Sequence, residues 1–143
     1  MPNFQELHTL VDFGMCIVLW FVQLIIYPSF LRIADSQLQA WHKAYTFRVS
    51  FVIMPLMLAQ LGLSVRAVFM EAGWLDWLVL GLVLLCWGLT FFISVPLHQK
   101  IDQGDGSTAI RQRLIRTNWP RTILWTAIFF IGILLEPKTF DAA

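Results

Sequence analysis

The chain reads as an all-α integral membrane protein, a four-helix up-down antiparallel bundle that forms a single domain over residues 1–143. Three observations predict this. Hydrophobic residues make up 58% of the 143 positions and charged residues only 13%, too little charge to cover a soluble domain of this size. Four apolar stretches, about 10–31, 45–65, 74–97 and 119–135, fill most of the chain, and a hydrocarbon core of ~30 Å takes ~20 apolar residues per helix. The few polar residues that interrupt these stretches gather near the same end of each one.

The first stretch has no Lys or Arg before it, and Tyr27-Pro28-Ser29-Phe30 is a poor cleavage site, so it is expected to remain as a mature helix. Asp12, Cys16, Gln23 and Tyr27 follow one another at steps of four, seven and four, which keeps them on one helical stripe facing protein rather than lipid. Asp12 lies near the interface, where solvation is the simple expectation. His8, before the stretch, reads as an ordinary loop residue.

Asp35-Ser36 is placed to cap the second helix, which is expected over 38–65. Trp41, Tyr45 and Arg48 share a face at i, i+4, i+7, with His42 one residue off it at the same height. Pro55 falls mid-span and removes a backbone donor. Ala72-Gly73 closes the turn that follows.

The third helix carries the clearest polar stripe: Cys86, Thr90, Ser94 and His98 recur every four residues. Gln103-Gly104-Asp105-Gly106 reads as a turn and Ser107 as an N-cap. A basic, amphipathic helix start is expected over 108–116, which extends the fourth apolar span back through 111–118; the helix is expected to carry Pro120 inside its pattern and to stop at Glu136-Pro137. Arg111, Arg113 and Arg116 read as a solvated basic surface toward lipid headgroups.

Charge sets the expected orientation. Arg32, Lys43, Arg48, Lys100, Arg111, Arg113, Arg116 and Arg121 fall on one side, and Arg66 and Lys138 on the other. Cytoplasmic loops collect Lys and Arg, so a multi-pass inner-membrane protein with both termini outside the cytoplasm is expected. A net charge of +1 implies no nucleic-acid partner. Cys16 and Cys86 lie inside spans, form no CxxC pair and read as small apolar residues.

In an up-down bundle the loop-side ends of all four helices meet at one depth. That brings together Tyr27, Trp41, His42, Tyr45, Arg48, His98, Asn118 and Arg121. For a small-molecule site the expected roles divide by chemistry. His98 and His42 are the acid–base candidates, and Tyr45 and Asn118 hydrogen-bond and orient. Arg48 and Arg121 stabilise charge, and Trp41 and Tyr27 line the site. Arg48 sits about one turn inside the apolar boundary, where snorkelling to lipid phosphate competes with a ligand role. The histidines show no HxxxH, ExxH or HExxH spacing, so no metal site is assigned. Asp102, one turn beyond His98, reads as solvated.

Tyr27-Pro28-Ser29-Phe30, Trp41-His42-Lys43-Ala44-Tyr45, Pro55-Leu56-Met57, Val95-Pro96-Leu97-His98 and Asn118-Trp119-Pro120-Arg121-Thr122 form a pattern over most of the chain. The pattern resembles small four-helix bacterial membrane proteins of unknown function, themselves distantly similar to the anthrone oxygenase-like family. The resemblance implies a four-helix membrane bundle, oxygenation of a hydrophobic aromatic substrate with no established cofactor, and a carry-over of His98 and Asn118. There is a looser likeness to four-helix haem-binding membrane oxidases. Those place a histidine within the first helix, whereas His8 here precedes the span.

Two functional classes stand at this point. One is a site for a lipophilic small molecule at the cytoplasmic end, with oxidoreductase-like chemistry. The other is a non-enzymatic subunit packed against other membrane subunits, with the polar set as packing glue. Membrane lipid is the expected surrounding partner in both, and no spacing in the chain names a cofactor.

Overall fold

The computed structural model describes residues 3–70 and 73–135. The expected helix stop at Glu136-Pro137, the turn residue Ala72 and the outlying Lys138 fall outside the described residues. Those described form four helices and no strand. They are α1 (Phe4–Arg32), α2 (Asp35–Met70), α3 (Trp74–Asp102) and α4 (Thr108–Leu135). Helices α1, α2 and α3 are long and apolar enough to cross a membrane. Helix α4 matches them in length, but its first half carries Arg111, Arg113, Arg116 and Arg121.

Each helix is longer than its apolar stretch because polar capping extends it. Helix α1 begins at Phe4, since Asn3 and Glu6 form a reciprocal capping box: Glu6 N donates to Asn3 Oδ1 at 2.8 Å, and Asn3 N donates to Glu6 Oε2 at 2.9 Å. His8 is therefore a helical residue, 4% exposed, and not a loop residue. The start of α2 is held by the Ala34 carbonyl, which accepts from Gln37 N and Leu38 N. The Asp35 side chain is turned instead to Arg111. Between α3 and α4, Gly104 adopts φ +99°. Asp105 N then reaches Lys100 O and Gly104 N reaches Ile101 O, the left-handed C-terminal cap that glycine adopts without a Cβ penalty. Helix α4 starts at Thr108, as the expected Ser107 cap places it, with Ser107 Oγ accepting from Ile110 N.

Two helices contain a π-turn, Val22–Ile26 in α1 and Thr90–Ser94 in α3. Both precede a proline, Pro28 and Pro96. A proline cannot donate to the carbonyl four residues back and its ring clashes with it. The widened turn takes up Leu24 and Phe92, the residues at those positions. It has a second effect. Residues spaced by four drift about 40° per step around an α-helix, and one extra residue in a turn cancels that drift. The π-turns keep Gln23 and Tyr27, and Ser94 and His98, pointed at the interior.

The core falls into two apolar groups. Met15, Leu19, Met57, Val83, Trp125 and Ile128 fill the middle, and Tyr27, Phe30, Leu38, Ile101 and Leu114 fill the end near the α1–α2 and α3–α4 turns. The outer faces are strongly apolar. Phe47 is 66% exposed, Phe51 67% and Phe92 84%, and each such ring in water forgoes about 1.5–3 kcal/mol of burial.

Arg111 ties the turn end together. The expected solvated guanidinium is 4% exposed. It donates to the carbonyls of Gly106, Phe30 and Ile33 and pairs with Asp35. Desolvation at this depth requires such a set of acceptors, and the only sequence sign of it was Asp35 on the facing turn.

Candidate functional site

Beside this clamp, four side chains from three helices form a hydrogen-bonded chain. Asp102 Oδ1 lies 2.6 Å from His42 Nδ1, His42 Nε2 lies 2.7 Å from His98 Nδ1, and His98 Nε2 lies 2.9 Å from the Tyr27 hydroxyl. The two imidazoles are stacked at 4.9 Å between centroids. His42 is fully buried, whereas the Asp102 side chain is 30% exposed. Asp102 thus connects the chain to the loop-side surface, and Tyr27 is its buried terminus.

Each contact needs one proton. With Asp102 as carboxylate, His42 donates from Nδ1 and accepts at Nε2, His98 donates from Nδ1, and Tyr27 donates its hydroxyl proton to His98 Nε2. Every ring nitrogen is then satisfied with both imidazoles neutral. Shifting one proton along each contact carries a proton from Tyr27 to Asp102 with no atom displaced. Such a row is able to relay a proton in either direction between the Asp102 and Tyr27 ends.

A second network lies deeper. Arg121 is 4% exposed and donates from Nη1 to Ser94 Oγ at 2.8 Å and to Asn118 Oδ1 at 3.0 Å. Asn118 in turn donates to Gln23 Oε1 at 2.8 Å. Arg121 Nε is buried without a hydrogen-bond partner among the described residues. Among those residues Arg111 pairs with Asp35, and the acid–histidine contacts are His8–Asp12 and His42–Asp102; none of the three involves Arg121. Its Cζ lies 5.4 Å from the centroid of the Trp125 ring. A guanidinium buried without a counter-charge is costly unless something else supplies acceptors.

Both networks border one cavity of about 270 Å³. Its polar wall includes Tyr27, Ser94, His98, Asp102 and Arg121, and its apolar wall includes Ile53, Met57 and Phe91. Tyr45 lines it as well, stacked on Trp41 with 5.5 Å between centroids and 9° between planes.

The expected site residues are therefore distributed unevenly. His42, His98 and Tyr27 share the proton path, and Arg121 and Tyr45 border the cavity. Asn118 is fully buried and positions Arg121 from behind rather than lining the cavity. Arg48 is not part of the cluster. It is exposed, and it lies with Trp41, Ala44, Tyr45 and Val49 along a separate shallow groove. The physical reason is the rotation of α2. Its buried stripe runs Leu38, His42, Met57, Gln60, Ser64 and Ala67, so His42 points inward, Tyr45 stands half-buried at the cavity edge, and Trp41 and Arg48 turn outward. Asp102 belongs to the path rather than to solvent, and its position one turn after His98 was the available signal. Asp12 also differs from expectation: it is 1% exposed and accepts from Gln60 Nε2 at 2.7 Å.

The histidines face each other rather than a shared open point, and no group of three His, Cys, Asp or Glu among the described residues is arranged to hold a metal ion. Comparison with protein-family models, curated proteins and solved structures finds no match to this chain.

Proposed function

We propose that this chain is an integral membrane protein of four up-down spans that binds a lipophilic small molecule bearing an anionic or enolisable oxygen, and exchanges a proton with it. The observation that carries this reading is Arg121, a buried guanidinium with an unengaged Nε and no carboxylate partner among the described residues, at the polar wall of a cavity whose other wall is apolar. A ligand oxygen bearing negative charge supplies the missing acceptor. The apolar wall receives the hydrophobic body, which reaches the protein from the surrounding lipid. Tyr27 and His98 stand at the same wall, so a proton released by the ligand has a route through His42 to Asp102. Tyr45 orients the ligand from the α2 side, and Asn118 holds Arg121 in place.

The basic residues near the α1–α2 and α3–α4 turns support an inner-membrane orientation with the cavity at the cytoplasmic end and both termini outside. Reporter tags fused to the two termini read this directly: both are expected on the non-cytoplasmic side, and a cytoplasmic signal from either overturns the orientation.

The binding reading is tested with an alkylated para-nitrophenol, whose phenolate is coloured and whose phenol is not. Added to the protein in lipid nanodiscs below the pH at which the free probe ionises, it is expected to bind saturably and turn to the coloured form. Binding as the colourless phenol, or partition into lipid alone, counts against an anion site at Arg121.

A further inference from the structure

Trp125, whose ring faces Arg121 at the cavity wall, is hydrogen-bonded on its other side to Gln60, which leads to a buried carboxylate that does not line the cavity, Asp12. Asp12 Oδ1 accepts from Gln60 Nε2, and Gln60 Oε1 accepts from Trp125 Nε1 at 2.8 Å. Asp12 Oδ2 is buried and has no hydrogen-bond partner among the described residues, and the same holds for Thr9 Oγ1. The two oxygens converge on one point. A Cβ built on Gly132 would stand 3.2 Å from Asp12 Oδ2 and 3.8 Å from Thr9 Oγ1. His8 Nε2 lies 3.8 Å from Asp12 Oδ2 and 3.2 Å from Ser64 Oγ.

We infer that Asp12 is a proton-binding site, loaded through His8 and separate from the cavity. A carboxylate this buried, with one neutral amide on one oxygen, is unstable as an anion. The free oxygen offers the remedy. When the imidazolium of His8 passes its Nε2 proton to Asp12 Oδ2, one N–H bond breaks and one O–H bond forms. A cation and an anion become a neutral imidazole and a carboxylic acid, and His8 keeps its Nδ1 proton. The acid proton then faces Thr9 Oγ1 across the space left by Gly132. None of the other groups facing this cluster forms an ion pair with Asp12 among the described residues. On α2 they are Gln60 and Ser64, with the exposed Arg66 stacked over Phe4, its Cζ 4.3 Å from the ring centroid. On α3, Asp76 acts electrostatically on His8 and accepts from Gly73 N. On α4 they are Trp125 and Gly132, neither of them ionisable.

Infrared difference spectroscopy of the protein in lipid nanodiscs, stepped between about pH 5 and about pH 8, tests this. The wild type is expected to show a protonated-carboxyl C=O band that disappears in Asp12→Asn and persists in Asp102→Asn. Gly132→Ala is a second variant that keeps the helix intact. Its added methyl against Oδ2 is expected to shift the same band, which carries the test if Asp12→Asn fails to fold. A wild type with no protonated-carboxyl band across that range overturns the inference, as does a band that neither Asp12→Asn nor Gly132→Ala alters. The readout needs no ligand, so it stands apart from the fate of the cavity reading.

Discussion

Arg121→Gln is expected to abolish probe binding while leaving the protein as stable as before, or more so. The two effects have opposite signs for one reason. The guanidinium is buried with no carboxylate partner among the described residues, so removing its charge relieves desolvation that hydrogen bonds to Ser94 and Asn118 offset only in part. The glutamine amide retains one such bond to Asn118 or Ser94. A bound anion, in contrast, loses its charge-assisted partner. We expect affinity for the alkylated nitrophenol to fall about a hundredfold, or about 3 kcal/mol. The melting temperature should be unchanged or raised. Arg121→Lys keeps the charge but loses the planar fork, and should bind more weakly than wild type and more tightly than Arg121→Gln. If Arg121→Gln instead unfolds the protein, Arg121 is packing glue and the cavity argument loses its basis.

Asp102→Asn is expected to separate proton movement from binding. The Asn Oδ1 still accepts from His42 Nδ1–H, so the histidine row keeps its tautomers and stability changes little at a side chain that is 30% exposed. What disappears is the negative charge that stabilises a proton moving onto His42 and the carboxylate that receives it. Removing one partner of an acid–base pair costs roughly 10²–10⁴-fold in proton-transfer rate. After a pH jump, the colour change of bound probe should slow by at least about a hundredfold, with affinity altered by less than about threefold. An unchanged rate would mean that protons reach the cavity by another route.

The sequence made much of this geometry legible, and particular residues show where it stopped. The apolar stretches locate all four helices, and the four-residue rhythm Cys86–Thr90–Ser94–His98 identifies the inward stripe of α3. That rhythm does not reveal how it stays in phase, because a π-turn is a response to Pro96 and to packing rather than a residue pattern. On α2, the aromatic-and-arginine face of Trp41, Tyr45 and Arg48 was conspicuous, yet His42 is the residue turned inward. Helical spacing defines faces but not which face is buried, and here the pairing of His42 with both Asp102 and His98 decides it. Asp12, Arg111 and Asp102 share one cause. Each is an ionisable residue at or beyond the edge of an apolar stretch, where solvation is the natural expectation, and each is buried or half-buried because partners distant in sequence meet it. Gln60 for Asp12 and Asp35 for Arg111 became visible only once the helices were packed.

The most direct test of the proton path is nitrogen-15 NMR of selectively labelled histidine in nanodiscs, at neutral pH and without probe. With three hydrogen bonds and one proton in each, His42 and His98 are both expected as neutral Nδ1–H tautomers. Scalar coupling should appear across the hydrogen bond from His98 Nδ1–H to His42 Nε2 and vanish in His42→Gln. Two histidines in the Nε2–H tautomer, or no coupling between the rings, would contradict the path from Tyr27 to Asp102 and the proton exchange built on it.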